Sequence, residues 1–587
     1  MMTSRRIVSL AVGATALLCV PLGVTASAAA WNDAEWVHGG VGTSSLRCGT
    51  DTGFEGTATG RFLSGELLGL DLDPIAELER MRLALAGSGV LTVAPADAIP
   101  LDPSAPTYTY ANPFDVSLLS GLAGVSLTGL TVPLPGAALG AVNQYAHVSE
   151  LGAATGAAGL VNDSGAVLVD QNTPSAALPA PATISLDDLL PGVAGIAGAE
   201  LRVGAVGASA QLDGCAALRS SLWGDGSVTG VIRDYGIAGL GLQVDSPAVA
   251  GLVGIVDTTV TNLTAAVNAL RGTSSPIAAG LGARLDLALP GVLTTGIGGN
   301  VTIGGLDLGA AVATLLDTPL TDGVVSVDLR SGAVDVDLDA LLPSLNDAPP
   351  NTEIVLSATV LAPIVTRIGT LLDNWSTQIV GALTEELRDV AIGIDLTALV
   401  AAPGISLPPL LTLPGLDVLD IDIDYTGTIG ALLDGTAVLS LDVDAVGAVA
   451  PINTLLAALG LPTVTDLIGL VEGLGSALVS NIAATITTTV LTLVTTLGTT
   501  LSTAINTVLA SLAGVVNALP TIVSIMVNVQ PDRPGAPPGS VFLPPTADAT
   551  GQYTVSALRI GLADFLVPGD VAHVMLGTAS AGPVTAP

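Results

Sequence analysis

The segment from Gly473 to Pro531, bracketed by Glu472 and Asp532, holds no charged side chain. Such a run either crosses a membrane or buries one face against the rest of the protein, and spacing decides between the two. Bulky apolar residues fall at Val479, Ile482, Ile486, Val490, Leu493, Leu497, Leu501, Ile505, Val508, Leu512, Val515 and Leu519. Every step is three or four residues, the period of one helix face. The other faces carry Thr485, Thr488, Thr492, Thr495, Thr499, Ser502, Thr503 and Asn506. A membrane-crossing helix needs about 20 predominantly apolar residues, and here Thr interrupts every turn. The spacing therefore predicts an amphipathic helix over 479–519 that stays in water. At its full length of roughly 60 Å it must lay its apolar stripe against another helix.

Two more stretches share that period. Residues 247–272 repeat apolar side chains every three or four positions and stop at Gly272. From about 355 to 390, one face gathers Ile364, Ile368, Leu371, Leu372, Trp375, Ile379, Leu383, Leu387 and Val390, which makes this segment the best partner for 479–519. Elsewhere the period is two. "LRVGAVGASAQLDG" and "SVTGVIRDYGIAGLGLQVD" read as strands joined through a polar turn, and "GVVSVDLRSGAVDVDLDALLP" as a hairpin around Arg330-Ser331-Gly332. "LDVLDIDIDYTG" and "GTAVLSLDVDAVG" form a second pair, with Asp434-Gly435 placed as a turn. Helix followed by acidic strands, at about 283–340 and again at 391–448, suggests a degenerate repeat of roughly 110 residues. Beyond the Pro/Gly loop at 531–540, "GQYTVSALRIGLADFLV" reads as a strand pairing with "TIVSIMVNVQ".

These segments predict an α+β fold. A β-rich body of antiparallel strands and hairpins would carry several long amphipathic helices packed as an extended bundle or stalk. The expected divisions are 1–30, a signal peptide; 31–245, a β-rich domain; 246–520, long helices alternating with acidic hairpins; and 521–587, a C-terminal strand pair with no recognisable anchor tail. The signal peptide rests on Arg5 and Arg6, an apolar core, and "ASAAA" ahead of Trp31, with cleavage after Ala30. Leu18 before Cys19 argues against a lipoprotein site, which needs a small residue there. Export leaves Cys48 and Cys215, and an even pair in an oxidising compartment reads as a disulfide.

The 587 residues carry a formal charge of −35, and all 16 basic residues are Arg. Such a chain is repelled by nucleic acid and by anionic lipid, and without Lys it can form neither a P-loop nor a Lys–Asn isopeptide cross-link. Two acidic triplets, Asp335-Asp337-Asp339 and Asp420-Asp422-Asp424, open like the calcium loop of an EF-hand. Position six is Ala340 or Tyr425 where Gly is required, and position twelve is Asn346 or Ala431 where Glu is required, so both matches fail. On a strand the same spacing puts each triplet on one face, with successive carboxylates roughly 7 Å apart. A solvated acidic face is the favoured reading, compatible with weak, diffuse calcium association.

Catalytic patterns are sparse. His38, His147 and His573 belong to no H-E-x-x-H, and the nearest approach to a nucleophile elbow, "GASAQ" at 207–211, lacks the final Gly and lies in an expected strand. "LPPTA" at 543–547 resembles a sortase signal but is followed by 40 residues of expected strand and loop. No cofactor or metal site is expected.

Three stretches, "ATGRFLSGELLGLDLDPIAEL" (58–78), "LGAVNQYAHVSELGAATGAAGLVNDSGAVL" (139–168) and "VVSVDLRSGAVDVDLDALLPSLNDAPPNTEIVLS" (324–357), together with "GQYTVSALRIGLADF" and "VAHVMLGTASAGP", resemble the choice-of-anchor G family of exported actinobacterial surface proteins. The resemblance implies a secreted or cell-surface protein with no enzymatic role, bound to an envelope or extracellular protein or polymer. The missing anchor signal points to free secretion or non-covalent retention. The alternative is a secreted hydrolase acting on envelope polysaccharide or peptide.

Overall fold

Glycine and alanine punctuate the strands at both ends of the chain, and they set how closely two sheets can stack. The computed structural model describes residues 46–587, apart from 68–69, 72–78, 114–129, 132–142, 171, 174–180, 188–194, 224–227, 343, 408–410 and 563–572. The expected signal peptide and its Ala30 cleavage point lie outside the described residues, as do Trp31, Trp36 and His38.

The first sheet runs in the order Thr352–Ile354, Val523–Val529, Tyr553–Leu562, His573–Thr585, Glu55–Leu67, Met81–Leu85, Leu91–Ala94. The second starts from the short strands Leu320–Thr321, Val325–Val327 and Ala333–Asp337. It continues through Val231–Asp245, Gly198–Asp213, Ala153–Gly159, Asn143–Ser149, Thr107–Pro113 and Ile99–Asp102. All their pairings are antiparallel, and Gly60 lies opposite Ala579. The two sheets stack face to face as a sandwich, here called the head. A Cβ built on Gly60 would sit 2.0 Å from the Ala157 carbonyl oxygen, and one on Gly156 would sit 2.1 Å from that of Thr59. Ala58, Ala154, Ala158, Ala208 and Ala579 are buried around this approach. Backbone meets backbone here, closer than the usual spacing of about 10 Å between stacked sheets.

Three long helices leave or enter the head: Pro247–Ala269, Ala358–Asp389 and Gly475–Ile522. The first two start where expected, because Ser246 and Ser357 accept from the backbone N–H groups of Val249 and Val360. Gly475–Ile522 packs against each of the other two to form a neck, with Trp375 buried and its Nε1 donating to the Leu315 carbonyl at 2.9 Å. The third has one π turn, Thr487–Leu491, within its α-helical run. Three consecutive Thr residues occupy that turn, and Thr489 Oγ1 bonds the Thr485 carbonyl at 2.7 Å, competing with the regular ladder. Just past this turn the apolar stripe differs from expectation at one position: Val494 is buried and Leu493 only half-buried, while Leu497, Leu501 and Ile505 are buried as the spacing predicts.

Beyond the neck, Thr294–Gly304, Ala391–Ala402, Leu416–Thr428 and Ser440–Ala445 form a four-stranded antiparallel sheet, here called the distal sheet. One face buries Ile392, Ile394, Leu396, Ile421 and Ile423. Helix Pro276–Ala288 packs on that face, with Gly282 against Ile297.

The chain is 35% helix and 36% strand, with large antiparallel sheets, so the α+β expectation describes it. Other expectations need correction. The divisions at 245/246 and 520/521 do not separate bodies: Arg47–Pro587 is one compact unit, and strands from both ends share the first sheet. The two acidic clusters are not repeats, because the hairpin Val325–Val327/Ala333–Asp337 belongs to the head and the 416–445 pair to the distal sheet. Part of 283–340 is helical, at Pro276–Ala288 and Leu308–Asp317. Helix Gly214–Trp223, rather than a polar turn, leaves strand Gly198–Asp213. The C-terminal pair gains a further strand, His573–Thr585, between it and Glu55–Leu67.

Candidate interaction surface

Alternation on Leu416–Thr428 turns Ile421 and Ile423 inward and leaves Asp420, Asp422 and Asp424 exposed. The register then enlarges the acidic patch. Asp444 lies opposite Asp420 and Asp442 opposite Asp422 on one side, and Asp395 lies opposite Asp424 on the other. Six carboxylates thus share one exposed face across three strands, and none of them takes part in an ion pair among the described residues. Partial desolvation, followed by repulsion from Asp420, Asp424, Asp442 and Asp395, pushes the Asp422 carboxyl above its ordinary value. Among the described residues, no group of three or more His, Cys, Asp or Glu is placed to hold a metal ion. The face is a field of charge, not a chelate.

The other triplet has a different fate. Asp335 accepts from Arg202 Nη1 at 2.6 Å, and Asp337 accepts from the Ala340 N–H at 3.3 Å. Asp339, past the strand end, is half-buried, and desolvation pushes its carboxyl up. Val334, Val336 and Leu338 are buried on the opposite face, as their spacing predicts.

Cys48 and Cys215 are joined, with Cα atoms 5.5 Å apart and a sequence separation of 167. The bond ties the start of the described chain to helix Gly214–Trp223 and fits an oxidising compartment. Ser209 of "GASAQ" is buried in strand Gly198–Asp213. The "LPPTA" stretch lies in the loop before strand Tyr553–Leu562, where the Leu543 carbonyl accepts from the Gln552 N–H. His147 Nδ1 lies 2.9 Å from Thr109 Oγ1, and burial lowers the pKa of the ring. His573 opens a strand of the other sheet. Among the described residues, cavities of about 580, 760 and 40 Å³ are lined by no histidine.

Two features that periodicity did not signal brace the head. Arg233 and Asp532, 6% and 10% exposed, form a two-pronged pair, with Nη2 donating to Oδ2 at 3.0 Å and the guanidinium 5.8 Å from the Tyr553 ring centroid. At the root of the neck, Asn346 exchanges two hydrogen bonds with the backbone of Ile237, while Asn351 Nδ2 donates to the carbonyls of Gln530, Arg533 and Pro534. The quoted stretch "LNDAPPNTEI" contains both asparagines, and its Asn and Pro content marks a turn but not the partners.

By length and composition, Pro247–Ala269 and Gly475–Ile522 could each cross a membrane. In the fold they pack on each other, and Gly475–Ile522 packs also on Ala358–Asp389. Its exposed face is rich in Thr, whose hydroxyls turn back to the ladder: Thr496 Oγ1 bonds the Thr492 carbonyl at 2.7 Å and Thr500 Oγ1 that of Thr496 at 2.8 Å.

The molecule is therefore an α+β protein with a disulfide-stapled head, a helical neck and an acidic distal sheet. Residues 58–582 match the model of a family described as a domain of unknown function, DUF8394, and the chain belongs to that family. No curated protein and no solved structure matches it.

Proposed function

We propose that this is a non-enzymatic, exported protein of the cell surface or extracellular matrix that presents an acidic face to a partner and stays in water. The observation that carries the reading is the set of six aspartates on the distal sheet, held beyond a helix of 48 residues, about 70 Å long. A carboxylate face that makes no ion pair among the described residues, and whose charges repel one another, is explained by what it meets outside. The disulfide supports export, and the resemblance to choice-of-anchor G proteins supports the surface or matrix location. The test is retention on envelope material from the producing cell. Replacing Asp395, Asp420, Asp422, Asp424, Asp442 and Asp444 by Asn should release the protein without changing its circular dichroism. Equal retention of the two forms would overturn the reading.

A further inference from the structure

Strand Thr294–Gly304 is the outer edge of the distal sheet, and its eleven residues, "TTGIGGNVTIG", include no charge and no proline. Exposed edges usually carry one or the other, or are covered, because unpaired N–H and C=O groups recruit further strands. At one end the Gly272 N–H donates to the Val301 carbonyl at 2.9 Å, and at the other the Thr295 hydroxyl donates to Asp286 of helix Pro276–Ala288, a side-chain contact that leaves the backbone groups of the edge open. From Thr294 to Gly299, the backbone has no partner among the described residues other than strand Ala391–Ala402.

The glycines on this edge matter for what could pair with it. Gly296 and Gly298 stand opposite Leu399 and Thr397, and a Cβ on Gly296 would meet nothing within 4 Å. Asn300 stands opposite Asp395, the first carboxylate inward from the edge. A strand added to this edge would lie roughly 10 Å from strand Ala391–Ala402, two interstrand spacings away. Its long side chains could cross the glycine floor toward Asp395, with the other five aspartates behind it. A second copy of the chain fits badly, since edge-to-edge pairing would join two six-aspartate faces in one sheet. The chain has no Lys and a formal charge of −35, so complementarity asks for a basic occupant.

We propose that the edge Thr294–Gly299 accepts, by strand addition, an extended segment of another protein with Arg or Lys at alternate positions. This deepens the reading above and rests on it, since it names the chemistry of the partner that the acidic face meets. The backbone supplies the register, and the aspartates select the basic side chains.

The test uses the full secreted chain and an eight-residue peptide alternating Arg and Thr, with a control of the same composition in which the Arg residues are contiguous. The alternating peptide should slow hydrogen exchange at Thr294–Gly299 and bind more tightly than the control. Asp395→Asn should weaken it roughly threefold, the scale of one cross-strand charge pair. Binding without protection of Thr294–Gly299, equal binding of the control, or no binding of either peptide would each overturn the proposal. The first two results leave the acidic-face reading intact, and failure of that reading is detected separately, in the envelope-retention assay.

Discussion

The head and the distal sheet are both antiparallel, yet they are built to opposite rules. In the head, Gly60 and Gly156 bring two backbones into contact, and alanines fill what is left. In the distal sheet, Ile and Leu bury one face under helices while the other face is open and acidic. The difference separates residues that hold the fold from residues free to do something else. A side chain added inside the sandwich has nowhere to go, whereas one added on the distal edge meets only water.

That contrast should be clearest for a matched pair of glycines. Gly156→Val forces a side chain into the Thr59 carbonyl, and we expect a loss of more than about 3 kcal/mol, or no folded protein at all. Gly296→Val, on the open edge, should stay within about 0.5 kcal/mol of the parent in urea unfolding. Similar losses at both sites would break the comparison. Ion pairs should divide the same way. Asp532→Ala strands the buried Arg233 and should cost about 3–5 kcal/mol, while Asp335→Ala, at the exposed pair with Arg202, should cost no more than about 1 kcal/mol. Cys48→Ser opens the cross-link across 167 residues and should cost about 2–5 kcal/mol, read as a fall in the urea midpoint.

The smallest expected effects concern pH. The folded protein holds the Asp422 proton more tightly than the unfolded chain does. Its contribution to stability is therefore complete below the ordinary carboxylate value of 3.8 and is lost as pH rises through the raised folded value. At neutral pH the charged group opposes folding, so Asp422→Asn should raise the melting temperature slightly there, with the gap closing on acidification. Asp322 has the opposite sign. Backbone N–H groups, Val325 first, and then Arg367 hold it at about 2, so its stabilisation is present above 3.8 and lost as pH falls toward 2. Asp322→Asn should lower the melting temperature at neutral pH, and no change would contradict the assignment.

Much of this was legible because it is local. The neck helices announce themselves through a three-to-four-residue period, and the acidic faces through a period of two. Pairing between ends is not local: nothing in "ATGRF" indicates that Gly60 lies opposite Ala579. Its signal was compositional, since "AATGAAG" and "GTASAG" contain side chains too small for an ordinary sheet interface. Helices Pro276–Ala288 and Leu308–Asp317 were too short to show a period among so many Leu and Ala residues. The slip from Leu493 to Val494 depended on a π turn that no spacing rule anticipates. Of the candidate surface, Asp420, Asp422 and Asp424 could be read directly. Asp395, Asp442 and Asp444 joined them only through register.

The central claim is that the uncharged run buries its stripe in a helical neck and so holds the acidic sheet in water. Detergent phase partitioning of the folded protein tests it most directly, because one surface cannot satisfy both helix partners and detergent. The account predicts recovery in the aqueous phase at neutral pH, with the disulfide intact. Recovery in the detergent phase would contradict it.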